Sequence, residues 1–278
     1  MIVVALIAAA LFLSAWMALA WRLQWQTGKS GWVDTLWSYG VGIAGVSLAL
    51  LVPLTAGDAI TARQWFVAAL CTAWSARLGT HILFRTLSGG DDPRYAQLKK
   101  EWRKDAQRRM FWFLQVQALC AFVLALAVFV AAQNPASGLR IIDWIGAALL
   151  VFAIAGAGVA DRQLRAFVSE KKNKGKVAEI GLWAYSRHPN YFFEWLGWFA
   201  YALIAFNIGG GYWWWPLALL APLMMYWLLV YASGIPPLEA HMLRSRGAKF
   251  RAYQKRVNAL FPGPRREGRS RRSDGRKR

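Results

Sequence analysis

Seven long apolar segments constrain the fold of this chain more than any other feature of its sequence. They cover residues 2–21, 34–55, 63–85, 110–132, 141–160, 191–207 and 211–233. A helix needs about 20 mostly apolar residues to cross the hydrocarbon core of a bilayer, which is about 30 Å thick. The sequence therefore predicts an all-α, polytopic membrane bundle of about seven transmembrane helices. The first segment lacks a charged start and exceeds a typical signal-peptide core, so we expect it to be a retained span.

Basic residues predict the orientation of this bundle, because cytoplasmic loops of membrane proteins are enriched in Lys and Arg. With the N-terminus outside, the cytoplasmic segments hold 31 of the 34 Lys and Arg residues. The outer segments hold only Arg63 and Arg140, and Arg77 lies within the third span. We therefore predict an N-terminus outside and a C-terminus in the cytoplasm. The absence of paired cysteines and organelle signals favours a bacterial inner membrane.

Charge and composition predict how the chain divides into domains and which classes of partner it lacks. Residues 1–262 are predicted to form one membrane-embedded domain. Residues 263–278 carry many Arg and almost no apolar residues, which is typical of a disordered tail. The formal net charge is +20, but the tail lacks the aromatic residues that stack on bases, so no nucleic-acid partner is predicted. Three widely spaced His and two Cys give no metal or disulfide pattern, and no protein partner is predicted.

The strongest candidate site in the sequence is GLWAYSRHPNYFFE at residues 181–194. Arg187 and His188 supply hydrogen-bond donors, and Asn190 can cap the helix that follows. Basic residues beside a helix N-terminus suit a phosphate-bearing ligand. Glu194 lies four residues after Asn190 and therefore on the same helical face, inside the membrane boundary. A capped helix with a basic flank explains the same spacing equally well.

A second group of polar residues lies on the third and fifth spans. Arg77, His81 and Arg85 follow one another at four-residue steps and form one stripe on a helix. Arg85 can snorkel to the interface, but Arg77 lies about two turns deeper and needs a polar ligand, a carboxylate partner or a water-filled cavity. Asp161 is predicted either to accept from a ribose hydroxyl or to pair with Arg165 at i+4.

The region 236–262 combines apolar and basic residues, which predicts a helix on the inner membrane surface. In that helix Tyr253 either points at a ligand or anchors the helix. The candidate places all lie near the predicted cytoplasmic face, and apolar spans lie beside them. This arrangement indicates an enzyme that acts on a hydrophobic molecule with a soluble, anionic cofactor.

At these residues the chain resembles a known family. GLWxYSRHPNYFxE at 181–194 resembles the hallmark of the bacterial membrane family DUF1295, which is related to the steroid 5-alpha-reductase C-terminal domain family. Three other places match it in the expected order. They are Trp74-x-x-Arg77-Leu with Arg85 and Asp92-Pro-Arg-Tyr95, then Asp161 with Arg165, and then Ser233-Gly-Ile-Pro-x-Leu-Glu239 followed by Tyr253. The resemblance covers about residues 30–262.

The resemblance implies a seven-span helical fold, NADPH as cofactor, and reduction of a carbon–carbon double bond conjugated to a carbonyl in a steroid-like or other lipid. It implies cofactor contacts at the positions matched by Arg77, Asp161 and 190–194. We add Arg94, Arg165, Arg187 and His188 as phosphate ligands. The complete predicted cofactor set is Arg77, Arg94, Tyr95, Asp161, Arg165, Tyr185, Arg187, His188, Asn190, Glu194 and Tyr253.

The acid that polarises the substrate carbonyl is predicted among Tyr39, His81 and Tyr191. Steroid reductases grip the substrate carbonyl with a Glu in the second span and a Tyr in the third. Here the second span contains no Glu, and Trp74 stands at the position that matches the Tyr. The resemblance therefore carries reductase chemistry over to this chain more directly than it carries steroid specificity.

Two other functions stay open. Isoprenylcysteine carboxyl methyltransferases are also similar to the chain, through an Arg-His-Pro-x-Tyr segment and a Tyr ahead of a closing Pro; S-adenosylmethionine would then replace NADPH. Residues 190–194 and the Asp-Asp-Pro-Arg-Tyr segment favour the reductase. A non-catalytic, lipid-binding membrane protein of the same fold is favoured by the departure at Trp74.

Overall fold

Long helices form over most of the continuously apolar segments of this sequence, because a helix satisfies its own backbone hydrogen bonds in lipid. The structure is a computed structural model that describes residues 1–266. These residues fold into helices joined by loops, with no β-strand among them, so the predicted all-α class is confirmed. The predicted disordered tail at 263–278 lies, from residue 267 onward, outside the described residues.

The described residues contain eleven α-helices. The first six are α1 (Ile2–Thr27), α2 (Gly31–Ala56), α3 (Ala62–Ser88), α4 (Pro93–Trp102), α5 (Ala106–Ala132) and α6 (Ile141–Ser169). The other five are α7 (Pro189–Gly197), α8 (Phe199–Ala205), α9 (Leu220–Trp227), α10 (Ile235–Arg246) and α11 (Ala248–Arg256). Helices α1, α2, α3 and α5 pack against one another, and α6 packs on α7 and α8.

Five helical stretches within residues 1–266 are long and apolar enough to cross a membrane. They are Ile2–Thr27, Gly31–Ala56, Pro93–Ala132, Ile141–Ser169 and Trp215–Arg246. They overlap five of the seven predicted spans, which supports an integral membrane protein. The predicted third span forms α3, a helix of 27 residues whose polar side chains lower its hydropathy. The span count of seven and the orientation stay predictions.

The predicted sixth and seventh spans are not continuous α-helices. The sixth is divided at Trp198 into α7 and α8, of nine and seven residues. The seventh begins with a 3-10 turn at Trp215–Leu219 and continues from α9 into a π-helical turn at Leu228–Ala232. Pro216 and Pro222 lack the amide proton that a continuous helix needs. Breaks of this kind are tolerated at membrane depth where protein buries them.

Glycines bring α2 and α3 close together and thereby orient the polar stripe of α3. A Cβ atom at Gly42 would lie 2.1 Å from Ser75 Oγ, and one at Gly79 would lie 2.8 Å from the Tyr39 ring. Neither position has room for a side chain. Because Gly79 follows Arg77 by two residues, this contact fixes the height and rotation of α3 where Arg77 projects from it.

Gly42→Ala is expected to destabilise the protein by about 1–2 kcal/mol, because the cost of overpacking exceeds the gain in helix propensity. Gly158→Ala in α6 is the matched control, since a Cβ there meets no atom within 4 Å. It should be neutral or stabilising by up to ~1 kcal/mol. Thermal unfolding in one detergent measures both. Equal melting temperatures for the two variants would contradict the close packing of α2 on α3.

Small residues also bring α7 close to α6. A Cβ at Gly156 would lie 2.5 Å from the Phe193 ring, and one at Gly197 would lie 3.2 Å from Leu150 Cδ1. Phe193 is itself buried. Because Glu194 follows Phe193 directly, the contact between α6 and α7 determines where the Glu194 carboxylate lies.

One end of the bundle is held by a buried ion cluster, which we call the Arg63 cluster (Arg63, Asn134, Arg140 and Asp143). Asp143 accepts from Arg63 at 2.8 Å and from Arg140 at 2.9 Å, and it is completely buried. Arg140 also donates to the carbonyls of residues 204 and 206, and the Asn134 amide donates to those of 204 and 205. The cluster therefore ties the start of α3 and the loop after α5 to α6 and α8.

The sequence predicts a helix on the inner membrane surface for residues 236–262, and the structure forms two helices there, α10 and α11, followed by the exposed Phe261. Phe250 and Tyr253 of α11 are buried against Val177, Met242 and Leu243. Lys249, Arg251 and Lys255, in contrast, are exposed. The protein itself therefore covers the apolar side of α11, and a position of these helices on the membrane surface stays a prediction.

Candidate functional site

Arg77 is the centre of a buried ion cluster built from three helices. Its guanidinium, on α3, donates to Glu194 of α7 and to Asp161 of α6. The three side chains are between 8 and 16 % exposed. Ionised groups so far from water are retained only where partners surround them. Two carboxylates share one guanidinium, so the ionised cluster carries an excess of negative charge.

Three further side chains complete this cluster, which we call the Arg77 cluster (Trp74, Arg77, His81, Asp161, Asn190 and Glu194). The Trp74 indole N–H donates to Glu194 Oε2 at 2.9 Å. The Asn190 amide donates to Asp161 Oδ1 at 3.1 Å, and His81 Nε2 lies 3.5 Å from Asp161 Oδ2. The structure thus brings together five residues predicted from the sequence and adds Trp74 as a donor.

Two expectations about this cluster are corrected. Asn190 does not cap α7, because the helix begins at Pro189 and His188 occupies the cap position without a side-chain hydrogen bond. The Asn190 side chain instead contacts Asp161 and the amide of the next residue. The alternative pairing of Asp161 with Arg165 is not formed. Asp161 pairs with Arg77, and Arg165 is exposed with no ion pair among residues 1–266.

A second polar cluster joins the start of α2 to α4, and we call it the Asp34 cluster (Asp34, Asp92, Arg94, Tyr95 and Gln117). Arg94 donates to Asp34 and to Asp92, and the Tyr95 hydroxyl donates to Asp34 Oδ1 at 2.7 Å. Burial opposes ionisation of Asp92, but hydrogen bonds and charge from Arg94 lower its pKa overall. Sequence reasoning missed Asp34 as a site residue, although a carboxylate opening an apolar span was the available signal.

The third cluster lies at the head of α7, and we call it the Glu239 cluster (Arg187, His188, Glu239 and Gln254). Glu239 of α10 accepts from Arg187 Nε at 2.7 Å, from His188 Nε2 at 3.0 Å and from Gln254 at 2.6 Å. Burial lowers the pKa of His188, although the adjacent Glu239 carboxylate opposes that shift. His188 is therefore neutral at pH 7, so it brings no positive charge to a phosphate.

Tyr253 and Tyr185 have opposite environments. The Tyr253 hydroxyl is buried and donates to the Trp183 carbonyl at 2.5 Å, so it attaches α11 to the loop before α7. Burial raises the pKa of Tyr253. The ring of Tyr185, by contrast, is 54 % exposed beside the same loop.

The candidate acids also differ in their partners. The Tyr39 hydroxyl lies 3.0 Å from Thr80 Oγ1, and His81 contacts Asp161. Among residues 1–266 the Tyr191 hydroxyl has no hydrogen-bond partner, and its ring stacks on His188 with centroids 5.5 Å apart. Of the three candidate acids, Tyr191 is thus the one whose acidic group has no hydrogen-bond or ion-pair partner within residues 1–266.

A comparison with protein families decides where the chain belongs. The family described as "Protein of unknown function (DUF1295)" matches residues 20–257. The chain belongs to the DUF1295 family. The predicted membership of DUF1295 is therefore confirmed, and the matched range contains all three clusters of the site. No curated protein and no solved structure matches the chain.

In this DUF1295 protein the clusters are electrostatic neighbours. Arg77, Arg85 and Arg165 lie close enough to the His81 imidazole for their charges to affect it. Two of them, Arg85 and Arg165, are exposed, so two exposed arginines lie near the Arg77 cluster. The charges of Arg94, Asp34 and Arg85 likewise lie close enough to affect the Tyr191 hydroxyl. Arg85, which is half exposed, therefore lies between the Arg77 cluster and the Asp34 cluster.

Proposed function

We propose that this DUF1295 protein is a membrane reductase that uses NADPH to reduce a carbon–carbon double bond conjugated to a carbonyl in a lipid substrate. The observation that carries the proposal is the Arg77 cluster. Arg77, Asp161, Asn190 and Glu194 are the residues to which the resemblance to steroid reductases assigns cofactor contacts, and they form one buried network from three helices.

The donor set of this cluster fits the uncharged parts of a dinucleotide. Carboxylate oxygens accept hydrogen bonds from ribose hydroxyls and from a carboxamide. The excess negative charge of Asp161 and Glu194 would repel a phosphate at the same point. Asp161 and Asn190 would therefore hold a sugar or the amide, and Arg77 keeps both carboxylates in place for that contact.

The phosphates need cations that are not already neutralised. Arg165 meets that condition fully, because it is exposed, has no ion pair among residues 1–266 and lies near His81. Arg85 comes next, since it is half exposed and its one ion pair among the same residues, with Asp92, is 3.3 Å long. Arg94 and Arg187 are paired with carboxylates, and His188 is bound to Glu239. We therefore assign Arg94, Arg187 and His188 to positioning the site, and the phosphate role to Arg85 and Arg165.

NADPH, when bound, supplies a hydride. The chain must then supply a proton and a donor for the carbonyl oxygen, where negative charge develops. Among Tyr39, His81 and Tyr191 we favour Tyr191, since the other two already have partners. The charges of Arg85 and Arg94 favour the phenolate that would remain after Tyr191 has given up its proton, whereas burial and the carboxylates of Asp34 and Asp92 oppose it.

A closely packed apolar region surrounds the Glu194 side chain between α6 and α7, which favours a hydrophobic over a polar substrate beside it. It is formed by Trp74, Leu150, Ala153, Ile154, Phe193 and Gly197. The proposal includes the orientation predicted from the basic loops, with seven spans and the N-terminus outside. In that orientation Arg85 and Arg165 face the cytoplasm of a bacterial cell, where NADPH is available.

Titration of the detergent-purified protein with NADPH tests the proposed function. We expect saturable binding at 150 mM salt that excess pyrophosphate does not abolish, because the Arg77 cluster contributes contacts beyond phosphate. S-adenosylmethionine in the same assay tests the methyltransferase alternative. Binding of S-adenosylmethionine without NADPH, or of neither cofactor, would contradict the reductase. The second outcome would favour a non-catalytic lipid-binding protein.

A further inference from the structure

We propose that Glu239 is a positioning residue, which holds the head of α7 so that Asn190 and Glu194 meet Asp161 and Arg77. Its effect on cofactor affinity rests on the proposed function, whereas its effect on α7 does not. The inference starts from the number of contacts that this one carboxylate makes. It accepts from both Nε and Nη2 of Arg187, from His188 and from Gln254, and it is 12 % exposed.

These contacts join parts of the chain that are distant in sequence. Glu239 lies on α10, and Arg187 and His188, directly before α7, precede it by 52 and 51 residues. Arg187 also donates to the carbonyls of Gln254 and Val257, so α11 is attached to the same point. The Glu239 cluster is therefore a junction of α10, α11 and the segment that leads into α7.

α7 needs such a junction because it is short. It has nine residues, and isolated helices shorter than about 12–15 residues are marginal even with favourable sequences. His188 is its cap residue, but the side chain makes no capping hydrogen bond. The start of α7 is fixed through Glu239 instead. Asn190 and Glu194 follow within the next two turns and contact the Arg77 cluster.

The same contact fixes the ring of His188. Glu239 accepts from Nε2, so the neutral imidazole carries its proton there, while Nδ1 is buried without a partner among residues 1–266. The ring is held face to face with Tyr191, at an interplanar angle of 17°. Glu239 thus also sets the position of the side chain that we favour as the acid.

Glu239→Gln tests this inference, because the amide retains the shape but loses charge and one acceptor position. Glu179→Gln is the matched control, since Glu179 is also a carboxylate paired with arginine, here Arg256 and Arg265, and neither partner lies on α7. Amide hydrogen exchange is the first readout. We expect exchange at residues 190–197 to rise by about tenfold or more in Glu239→Gln, with α5 unchanged and no such rise in Glu179→Gln.

NADPH affinity is the second readout. We expect Glu239→Gln to weaken binding by about tenfold, and Glu239→Asp to recover part of it because it restores the charge. Unchanged exchange at 190–197, or a rise spread evenly through the bundle, overturns the positioning role. If the unaltered protein does not bind NADPH, the proposed function fails, and the exchange measurement alone still decides the role of Glu239.

A second variant keeps the inference testable if Glu239→Gln fails to fold. His188→Phe preserves a ring against Tyr191 and removes only the donor to Glu239, while Arg187 stays paired. It should raise exchange at 190–197 by a smaller factor than Glu239→Gln. No rise in this variant would show that Glu239 does not act on α7 through His188.

Discussion

Arg77→Gln is expected to abolish measurable NADPH binding and to destabilise the protein by about 3–5 kcal/mol. The substitution leaves Asp161 and Glu194 buried beside each other without their shared cation. Breaking a buried pair by removing one partner costs more than the pair itself contributes, because the remaining charge stays desolvated. Binding isotherms and thermal unfolding in the same detergent measure the two effects separately.

Glu194→Gln in the Arg77→Gln background is the first control, because it removes one of the two uncompensated carboxylates. The double variant should be more stable than Arg77→Gln alone, by about 1–3 kcal/mol of coupling between neighbouring residues. It should not regain NADPH binding, since both proposed contacts are altered. If the double variant loses as much stability as the Arg77→Gln and Glu194→Gln single variants lose together, the result would contradict a shared ion cluster.

Arg63→Gln is the second control, since Arg63 is also a buried arginine on α3 with a carboxylate partner. It precedes Arg77 by 14 residues, or about 21 Å along the helix at 1.5 Å per residue. Arg63→Gln should lower stability without changing the NADPH affinity of the folded fraction. A comparable loss of affinity in both variants would mean that binding reports only on stability.

Helical periodicity explains how much of the Arg77 cluster could be predicted. The four-residue steps of Arg77, His81 and Arg85 put them on one face, and the spacing of Asn190 and Glu194 did the same for α7. Both stripes are present, and they face each other across Asp161. The depth of Arg77 in an apolar span predicted a polar ligand, a carboxylate partner or a water-filled cavity, and the structure shows carboxylate partners.

Partners separated by long stretches of sequence could not be predicted. Arg187 was expected to meet a phosphate, but it binds Glu239, 52 residues later. Arg94 was expected to do the same, but it binds Asp34, 60 residues earlier. Local spacing gives the face on which a side chain lies. It does not say which opposite charge the tertiary fold brings to that face.

The breaks in the predicted sixth and seventh spans show a similar limit. Hydropathy measures whether a segment can lie in lipid, and both segments pass that test in the sequence. It does not measure whether the helix is continuous, because a break such as that at Trp198 depends on packing against other helices. Trp198 is buried against the Trp74 ring, with centroids 4.8 Å apart.

Asp143→Asn is expected to lower stability by about 3–5 kcal/mol and to leave NADPH affinity unchanged. Asp143 is completely buried and is the common counter-ion of Arg63 and Arg140. Asp143 also accepts from the backbone N–H of Arg140 at 2.7 Å, and Arg140 is the residue that caps the start of α6. An amide in its place presents N–H groups toward two guanidinium groups, so the buried positive charges are left without compensation.

The Arg63 cluster and the Arg77 cluster differ in what their buried charges do, and Asp143→Asn tests that difference. At the Arg63 end, the arginines also donate to backbone carbonyls, so the cluster connects loops and helices. In the Arg77 cluster, the side chains contact one another and leave an excess of negative charge. Thermal unfolding should therefore report a large loss in Asp143→Asn, while the NADPH isotherm of the folded protein stays the same. Weaker NADPH binding in this variant would show that the Arg63 and Arg77 clusters are energetically coupled and that the Arg77 cluster does not act alone.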